Sequence, residues 1–264
     1  MLIPILLGLL VGLILALTGA GGGILAVPLL VFGTGIGVAQ AGPIGLLAVG
    51  MAATLGALLG LRAGQVRYRA ALLIAASGML LAPAGLWAAR LADARWLGLL
   101  FGLTLLVVAY RTWRQAALPA SSQSTDAPVC LRGERSGRFV WTRPCARALG
   151  LSGALAGFLS GLLGVGGGFV MVPALRRHTD LPMTSAVATS LAVIAIISAA
   201  GVATSAAQGG VAWSMALPFA GGALAGMLGG RSLAARVAGP ALQKAFAVVS
   251  ALVAAGMVAK ALLA

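Results

Sequence analysis

One stretch of this sequence occurs twice, and the repetition constrains the fold more than any other feature. The first copy, Leu17–Val31, reads LTGAGGGILAVPLLV, and the second, Leu162–Leu175, reads LLGVGGGFVMVPAL. Matched residues lie 145 positions apart, and the same spacing continues upstream and downstream without a gap. The chain is therefore a tandem duplication. The pairs that define the motif include Gly19 with Gly164, Gly22 with Gly167, Gly23 with Gly168, and Pro28 with Pro173.

The composition places the chain in a lipid bilayer. Of its 264 residues, 61% are hydrophobic and only 8% are charged, and the mean hydropathy is +1.07. A water-soluble domain with these values would expose a mostly apolar surface. Apolar runs longer than the roughly 20 residues of a membrane-spanning helix, without strand-like alternation, predict an all-α integral membrane protein.

The first apolar run is too long for one straight membrane helix. It extends from Leu2 to about Phe32 without a charge. A continuous helix of that length would measure roughly 46 Å, more than the hydrocarbon thickness. Adjacent glycines weaken a helix, and a proline limits how it resumes. We therefore expect a span up to Thr18, a glycine turn, and a short half-helix from about Ile24, and the same plan in the second copy.

The segments between apolar runs predict three parts and about eight spans. These parts are a first four-helix repeat at 1–115, a polar basic linker at 116–146 and a second four-helix repeat at 147–264. An even number of spans per repeat predicts parallel copies, related by a pseudo-twofold axis along the membrane normal. With eight spans, more lysine and arginine falls on the side of the termini, which favours cytoplasmic termini. We expect Cys130 and Cys145 in the linker to be free thiols.

The net charge of +14 has a membrane explanation. The 18 lysines and arginines lie almost wholly between the apolar runs. Orientation signals and contacts with lipid headgroups account for them better than a nucleic-acid partner does, because no basic stripe is interleaved with aromatic residues. The sequence leaves open whether the chain forms a homo-oligomer.

Enzyme and cation-carrier chemistry have little support in the sequence. No predicted span contains an aspartate or glutamate, and the single histidine, His178, lies in a short loop. The chain has no phosphate-binding loop for ATP and no set of metal ligands. We therefore predict that it is not an enzyme and has no cofactor and no metal site.

The glycine motifs allow two interpretations. One is a kink that permits close helix packing. The other is an anion site, because each break exposes backbone N–H groups at a half-helix N-terminus near the middle of the membrane. On the second interpretation the substrate-binding residues are Gly21, Gly22, Gly23, Gly166, Gly167 and Gly168, and the residues that break the helices are Gly19, Pro28, Gly164 and Pro173.

Hydroxyl side chains favour a site nearer the second copy. Thr184, Ser185, Thr189, Ser190 and Ser198 lie on the span after the second break, whereas the matched positions of the first copy are mainly apolar. We predict that Thr189 and Ser190 donate hydrogen bonds to the anion. The alternative is that these hydroxyls bond back to their own helix.

Several motifs resemble those of the sulfite exporter TauE/SafE family, also called the toluene-sulfonate uptake permease family. These are the paired G-x-G-G-G-x-x-x-V-P elements, the run Ala186–Leu191 and the stretch Gly209–Trp213. The resemblance covers nearly the whole chain except the linker. It implies a multi-pass permease of the bacterial inner membrane that moves sulfite or an organosulfonate.

The sequence thus predicts a permease for a small anion that works by alternating access between two pseudo-symmetric halves. Two alternatives stay open. One is a non-transporting membrane anchor or scaffold that uses the basic linker. The other is a carrier for a metal cation, which the missing intramembrane acids disfavour.

Overall fold

The computed structural model describes residues 2–19, 22–117, 129–130, 141–237 and 240–263, and this part of the chain is almost entirely helical. It contains no strand beyond one isolated bridge between Cys130 and Thr179. The all-helical fold class is confirmed. The helices are α1 (Leu2–Thr18), α2 (Ala26–Thr34, after a 3-10 turn at Gly22–Leu25), α3 (Val38–Arg62), α4 (Tyr68–Leu91), α5 (Ala94–Ala117), α6 (Arg143–Leu163), α7 (Gly168–His178), α8 (Met183–Ala207), α9 (Trp213–Val237) and α10 (Pro240–Leu263).

Both repeated motifs lie where one helix ends and the next begins. Helix α1 ends at Thr18 and the described chain resumes with the 3-10 turn, whereas α6 ends at Leu163 and α7 begins five residues later. Gly21 lies outside the described residues. Positive φ angles near 70° occur at both ends of the second break, a conformation that residues with a Cβ atom rarely adopt. These glycines are Gly164, Gly166 and Gly167, with Gly19 in the first motif.

The chain reverses direction at the first motif. Gly22 lies against Leu15 of α1, and Gly33 near the end of α2 lies against Leu7 near the start of α1. Helix α2 therefore runs back along α1. The two helices form a hairpin, here called hairpin A (2–34), that enters and leaves the membrane on the same side.

The second motif makes an equivalent reversal. Cys130 is disulfide-bonded to Cys145 at the start of α6, and its backbone N–H donates to the carbonyl oxygen of His178 at the end of α7. The start of α6 and the end of α7 therefore lie close together. Residues 143–178 form hairpin B.

Each hairpin packs against a long helix of the other copy. In hairpin A, Gly8 contacts Phe219 of α9 and, further along, Ala16 contacts Gly230. The order of these contacts makes α1 and α9 parallel neighbours. Glycines on both helices allow their backbones to meet directly. The equivalent contacts between α6 and α4 are Gly153 with Ile74 and Gly161 with Ala82.

The central pair of helices, α3 and α8, runs antiparallel. Gly50 contacts Ser198, and Gly60 contacts Ala188. Helix α3 starts where hairpin A ends and runs alongside α2 in the opposite direction, because its Gly45 lies against Val27. The long helices α3, α4 and α5 then cross in turn, joined by short loops.

The two copies are consequently inverted, and the prediction of parallel copies with eight crossings is wrong. Each copy has one hairpin and three long helices, an odd number of crossings, so hairpin A enters from the face that carries both termini and hairpin B from the face that carries the linker. The physical reason is that each glycine break turns the chain back, instead of continuing the same span. We call these surfaces the termini face and the linker face.

Six helices of the described residues are long and apolar enough to cross a bilayer. Helix α6 is among them, although the return of α7 brings its chain back to the linker face. Helix α9 is as long as α3 and α8, with 25 residues each. The segments are Val38–Arg62, Tyr68–Ala89, Arg95–Arg114, Arg143–Leu163, Met183–Ala207 and Gln243–Ala261.

In the structure the two linker cysteines are paired, which differs from the free thiols expected from the sequence. Cys130 and Cys145 form a disulfide with their Cα atoms 5.1 Å apart, and both are fully buried. The bond holds this part of the linker against hairpin B.

Candidate functional site

The two helix breaks meet between α3 and α8. A methyl group placed on Gly23 would lie 3.3 Å from the carbonyl oxygen of Val165 and 3.0 Å from Val49 Cγ1. One placed on Gly166 would lie 3.7 Å from the same Val49 atom and 3.1 Å from Ile194 Cγ2. Val49 and Ile194 are matched residues of the two copies. The duplication therefore brings both motifs to one place inside the protein.

The described residues of this meeting point lie inside the protein. Gly22, Gly23 and all of residues 164–168 are buried. Fully buried Leu15, Ile24 and Val49 surround the first break. Broken helices inside a membrane occur where protein covers the freed backbone or where they line a water-filled cavity. In this structure, protein covers the described residues of both breaks.

Both returning helices begin at this point without a side-chain cap. Helix α7 follows Gly167, and α2 continues directly from the 3-10 turn that begins at Gly22; neither Gly167 nor Leu25 provides a side-chain cap. The first N–H groups of a helix have no partner within the helix, and its dipole places partial positive charge there. Such an end binds anions, and the convergence of two ends strengthens that preference.

Ser198 adds a side-chain hydroxyl to this backbone site. It is fully buried, and its Oγ has no hydrogen-bond partner among the described residues. A methyl group on Gly166 would lie 2.9 Å from this oxygen, and one on Gly50 would lie 2.8 Å from Ser198 Cβ. The hydroxyl therefore lies beside the second break, where an unpaired buried polar group costs about 1–3 kcal/mol unless a ligand occupies it.

Comparison with known proteins supplies the family. The sequence model for "Sulfite exporter TauE/SafE" matches residues 4–257, nearly the whole chain. The chain belongs to the sulfite exporter TauE/SafE family. The resemblance drawn from the glycine motifs is thereby confirmed.

Relatives of this TauE/SafE protein are described as transporters. A "Probable membrane transporter protein" of Xylella fastidiosa is 32% identical over 221 residues, which cover 83% of this chain and 79% of the relative. The "Probable membrane transporter protein YunE" of Bacillus subtilis is 27% identical over 232 residues, 84% of each chain. No solved structure matches the chain. The chain is a multi-pass membrane transporter of the TauE/SafE family.

Two hydroxyls that the sequence selects for the candidate site have hydrogen-bond partners elsewhere in the protein. Thr189 is fully buried, and its Oγ1 accepts a hydrogen bond of 3.1 Å from the backbone N–H of Arg67. It ties the loop between α3 and α4 to α8. Ser190 Oγ donates to the carbonyl oxygen of Val187 in its own helix at 2.9 Å. Their role in substrate binding stays a prediction.

Ser198 is the residue that sequence reasoning undervalued. It belongs to the same set of hydroxyls as Thr189, but nothing in its neighbourhood along the chain distinguishes it. Its proximity to Gly166 depends on the direction in which hairpin B folds back, and that direction was not readable from the motif. The two prolines of the motif, Pro28 and Pro173, lie inside the returning helices α2 and α7.

Metal ligands are not gathered in the described part of the chain. No group of three or more histidine, cysteine, aspartate or glutamate side chains there could hold an ion.

Proposed function

We propose that this protein translocates a small oxyanion, sulfite or an organosulfonate, through the point where the two hairpin tips meet. The observation that carries the proposal is the unpartnered Ser198 hydroxyl beside the second helix break, after which α7 begins without a side-chain cap. The described acids, Asp93 and Asp180, lie in loops after α4 and α7 and add no negative charge to the centre. A site of donors without carboxylates favours an anion over a cation.

The donors suit a sulfur oxyanion. Sulfite and a sulfonate group both carry three oxygen atoms on one sulfur, so two helix ends and a hydroxyl can each reach a different oxygen. Hydrogen bonds from neutral donors to a charged acceptor are stronger than neutral pairs. Burial strengthens them further because the protein interior has a lower dielectric constant than bulk water.

We propose that alternating access moves hairpins, not whole halves. Each hairpin is joined by direct backbone contact to a long helix of the other copy, as in the contact between Gly8 and Phe219. The units 1–115 and 147–264 remain the proposed evolutionary repeats. The proposed moving bodies are hairpin A with α9 and hairpin B with α4, because close glycine packing resists separation.

The inverted fold also changes the expected orientation. Of the lysines and arginines in the described chain, twelve lie at the linker face and three at the termini face. The positive-inside rule then favours a cytoplasmic linker and external termini in the bacterial inner membrane, the reverse of the sequence-based expectation. The linker-face residues are Arg62, Arg67, Arg69, Arg111, Arg114, Arg143, Arg147, Arg176, Arg177, Arg231, Arg236 and Lys244, and those of the termini face are Arg90, Arg95 and Lys260.

Transport of the proposed substrates can be measured directly. Purified protein is reconstituted into liposomes, and entry of labelled sulfite, of a sulfonate such as sulfoacetate, and of sodium as a cation control is followed over time. We expect flux of at least one sulfur oxyanion above that of protein-free liposomes, with competition between sulfite and the sulfonate. Flux of a cation with no flux of any of these anions would overturn the proposal.

A further inference from the structure

We propose that the linker face carries a binding site for the anionic headgroup of a membrane phospholipid. The site is a crevice of about 690 Å³ between the C-terminal ends of α5 and α7. Its apolar lining includes Leu106 and Pro173, here called the floor. Its polar and charged lining consists of Tyr110, Arg111, Arg114 and Arg177.

The crevice concentrates positive charge. Three of its lining residues are arginines and none is an acid. The guanidinium of Arg114 lies 5.8 Å from the centre of the Tyr110 ring, a cation–π contact that orients it. Three guanidinium groups around one space repel each other, and a phosphate group relieves that repulsion while accepting several hydrogen bonds.

The position of the crevice favours a lipid over a free ion. Leu106 is 42% exposed, and Tyr110, one helical turn further along α5, is 61% exposed. Both lie on a segment, Arg95–Arg114, that is long and apolar enough to span the membrane. The floor therefore faces acyl chains while the arginines reach the headgroup level, the arrangement expected of a headgroup pocket between membrane helices.

The matched place formed by α10 and α2 serves as an internal comparison. Phe32 and Gly256 are the matched partners of Arg177 and Arg111. There the Phe32 ring occupies the space, since a methyl group on Gly256 would lie 3.1 Å from its Cζ. Lys260 lies 5.9 Å from the centre of that ring.

This asymmetry points to a ligand. Helix C-termini favour basic residues in general. However, α2 and α10 also end next to each other, on the termini face, and there an aromatic ring fills the gap. Of these two matched positions, the one on the linker face is an open crevice lined by arginines, whereas an aromatic ring fills the one on the termini face. The proposed cytoplasmic leaflet at that face contains anionic lipids.

The test compares two triple variants of equal charge. Arg111→Gln, Arg114→Gln and Arg177→Gln together remove the crevice charges. The control, Arg62→Gln, Arg69→Gln and Lys244→Gln, removes three exposed charges from the same face. Thermal unfolding in neutral detergent is titrated with palmitoyl-oleoyl phosphatidylglycerol, phosphatidylcholine and glycerol 3-phosphate, and the shifts give apparent affinities.

We expect phosphatidylglycerol to stabilise the wild type and the control variant with similar affinity. In the crevice variant the apparent affinity should be weaker by roughly 100-fold, since each interfacial basic residue attracts an anionic lipid by about 1 kcal/mol. Equal responses of the two variants would overturn the proposal. An equal shift from glycerol 3-phosphate would also overturn it, because that result identifies a site for a free anion. A further variant, Arg177→Phe, introduces the aromatic side chain of the matched Phe32, which fills the equivalent place between α2 and α10, and should lose the lipid response.

Discussion

Ser198 of α8 lies beside Gly166 in the second helix break, and its Oγ has no hydrogen-bond partner among the described residues. Natural structures rarely leave a fully buried hydroxyl unpaired. At this position the hydroxyl is next to the uncapped N-terminus of α7, which begins at Gly168. An unused hydroxyl donor next to a helix N-terminus is what an anion site requires before its ligand binds.

Replacing this hydroxyl tests the site directly. Ser198→Ala should lower anion flux by roughly 10- to 100-fold, because a hydrogen bond to a charged group contributes about 1.5–3 kcal/mol. Its thermal stability should not fall, since the hydroxyl has no partner to lose. The matched control is Ser250→Ala in α10, which also removes a fully buried, unpartnered hydroxyl. If both variants transport equally well, Ser198 has no role in the site.

Glycine is required at the second break for steric reasons. Gly167 has a φ of 65°, and a Cβ atom there would meet the carbonyl oxygen of Ala156. Gly167→Ala should destabilise the protein by about 2–4 kcal/mol, the combined cost of a left-handed residue and of overpacking. The control is Gly150→Ala in the same hairpin, where a Cβ atom meets nothing within 4 Å. Thermal unfolding should separate the two variants, and equal stability would contradict the described break.

The reversal of hairpin A predicts which loops share a face. In a background without native cysteines, single cysteines at Leu2, Gly37 and Ala63 are exposed for labelling. A membrane-impermeant maleimide should reach Leu2→Cys and Gly37→Cys from one side and Ala63→Cys from the other. Labelling of Leu2→Cys and Gly37→Cys from opposite sides would contradict the hairpin and support the parallel arrangement with eight spans.

The sequence predicted the helices well and their direction poorly. The spacing of 145 residues relates Val38 at the start of α3 to Met183 at the start of α8, so helix positions in one copy are repeated in the other. A run of glycines permits either a continued span or a return, because glycine adopts both kinds of backbone conformation. The contact between Leu7 and Gly33, far apart in the sequence, decides the matter. Reading this one turn as a continued span makes the number of crossings per copy even instead of odd. The copies then become parallel instead of inverted, and the basic residues fall on different faces.

The cysteine pair tests the proposed orientation. On a cytoplasmic face, Cys130 and Cys145 should be thiols in the living cell and should join when the protein is oxidised after lysis. Cells lysed directly into denaturant that contains N-ethylmaleimide should therefore yield both residues labelled, because the denaturant exposes thiols that are buried in the folded protein. A disulfide already complete in untreated cells would place the linker outside and contradict the orientation. Once formed, the bond across 15 residues should raise the thermal stability, by about 3 kcal/mol in the chain-entropy account.

The proposed moving bodies predict the effect of a cross-link between the two copies. Ala16 of hairpin A and Gly230 of α9 belong to different repeats, and a methyl group on Gly230 would lie 2.7 Å from Ala16 Cβ. Cysteines at both positions need a shift of about 1 Å to reach disulfide geometry. If hairpin A moves together with α9, oxidation of Ala16→Cys/Gly230→Cys in a cysteine-free background should leave anion flux near its reduced value. If residues 1–115 instead rock against 147–264, the same disulfide should block anion flux, and a reductant should restore that flux. Each single-cysteine variant, treated with the same oxidant, controls for oxidation elsewhere and for the substitutions themselves.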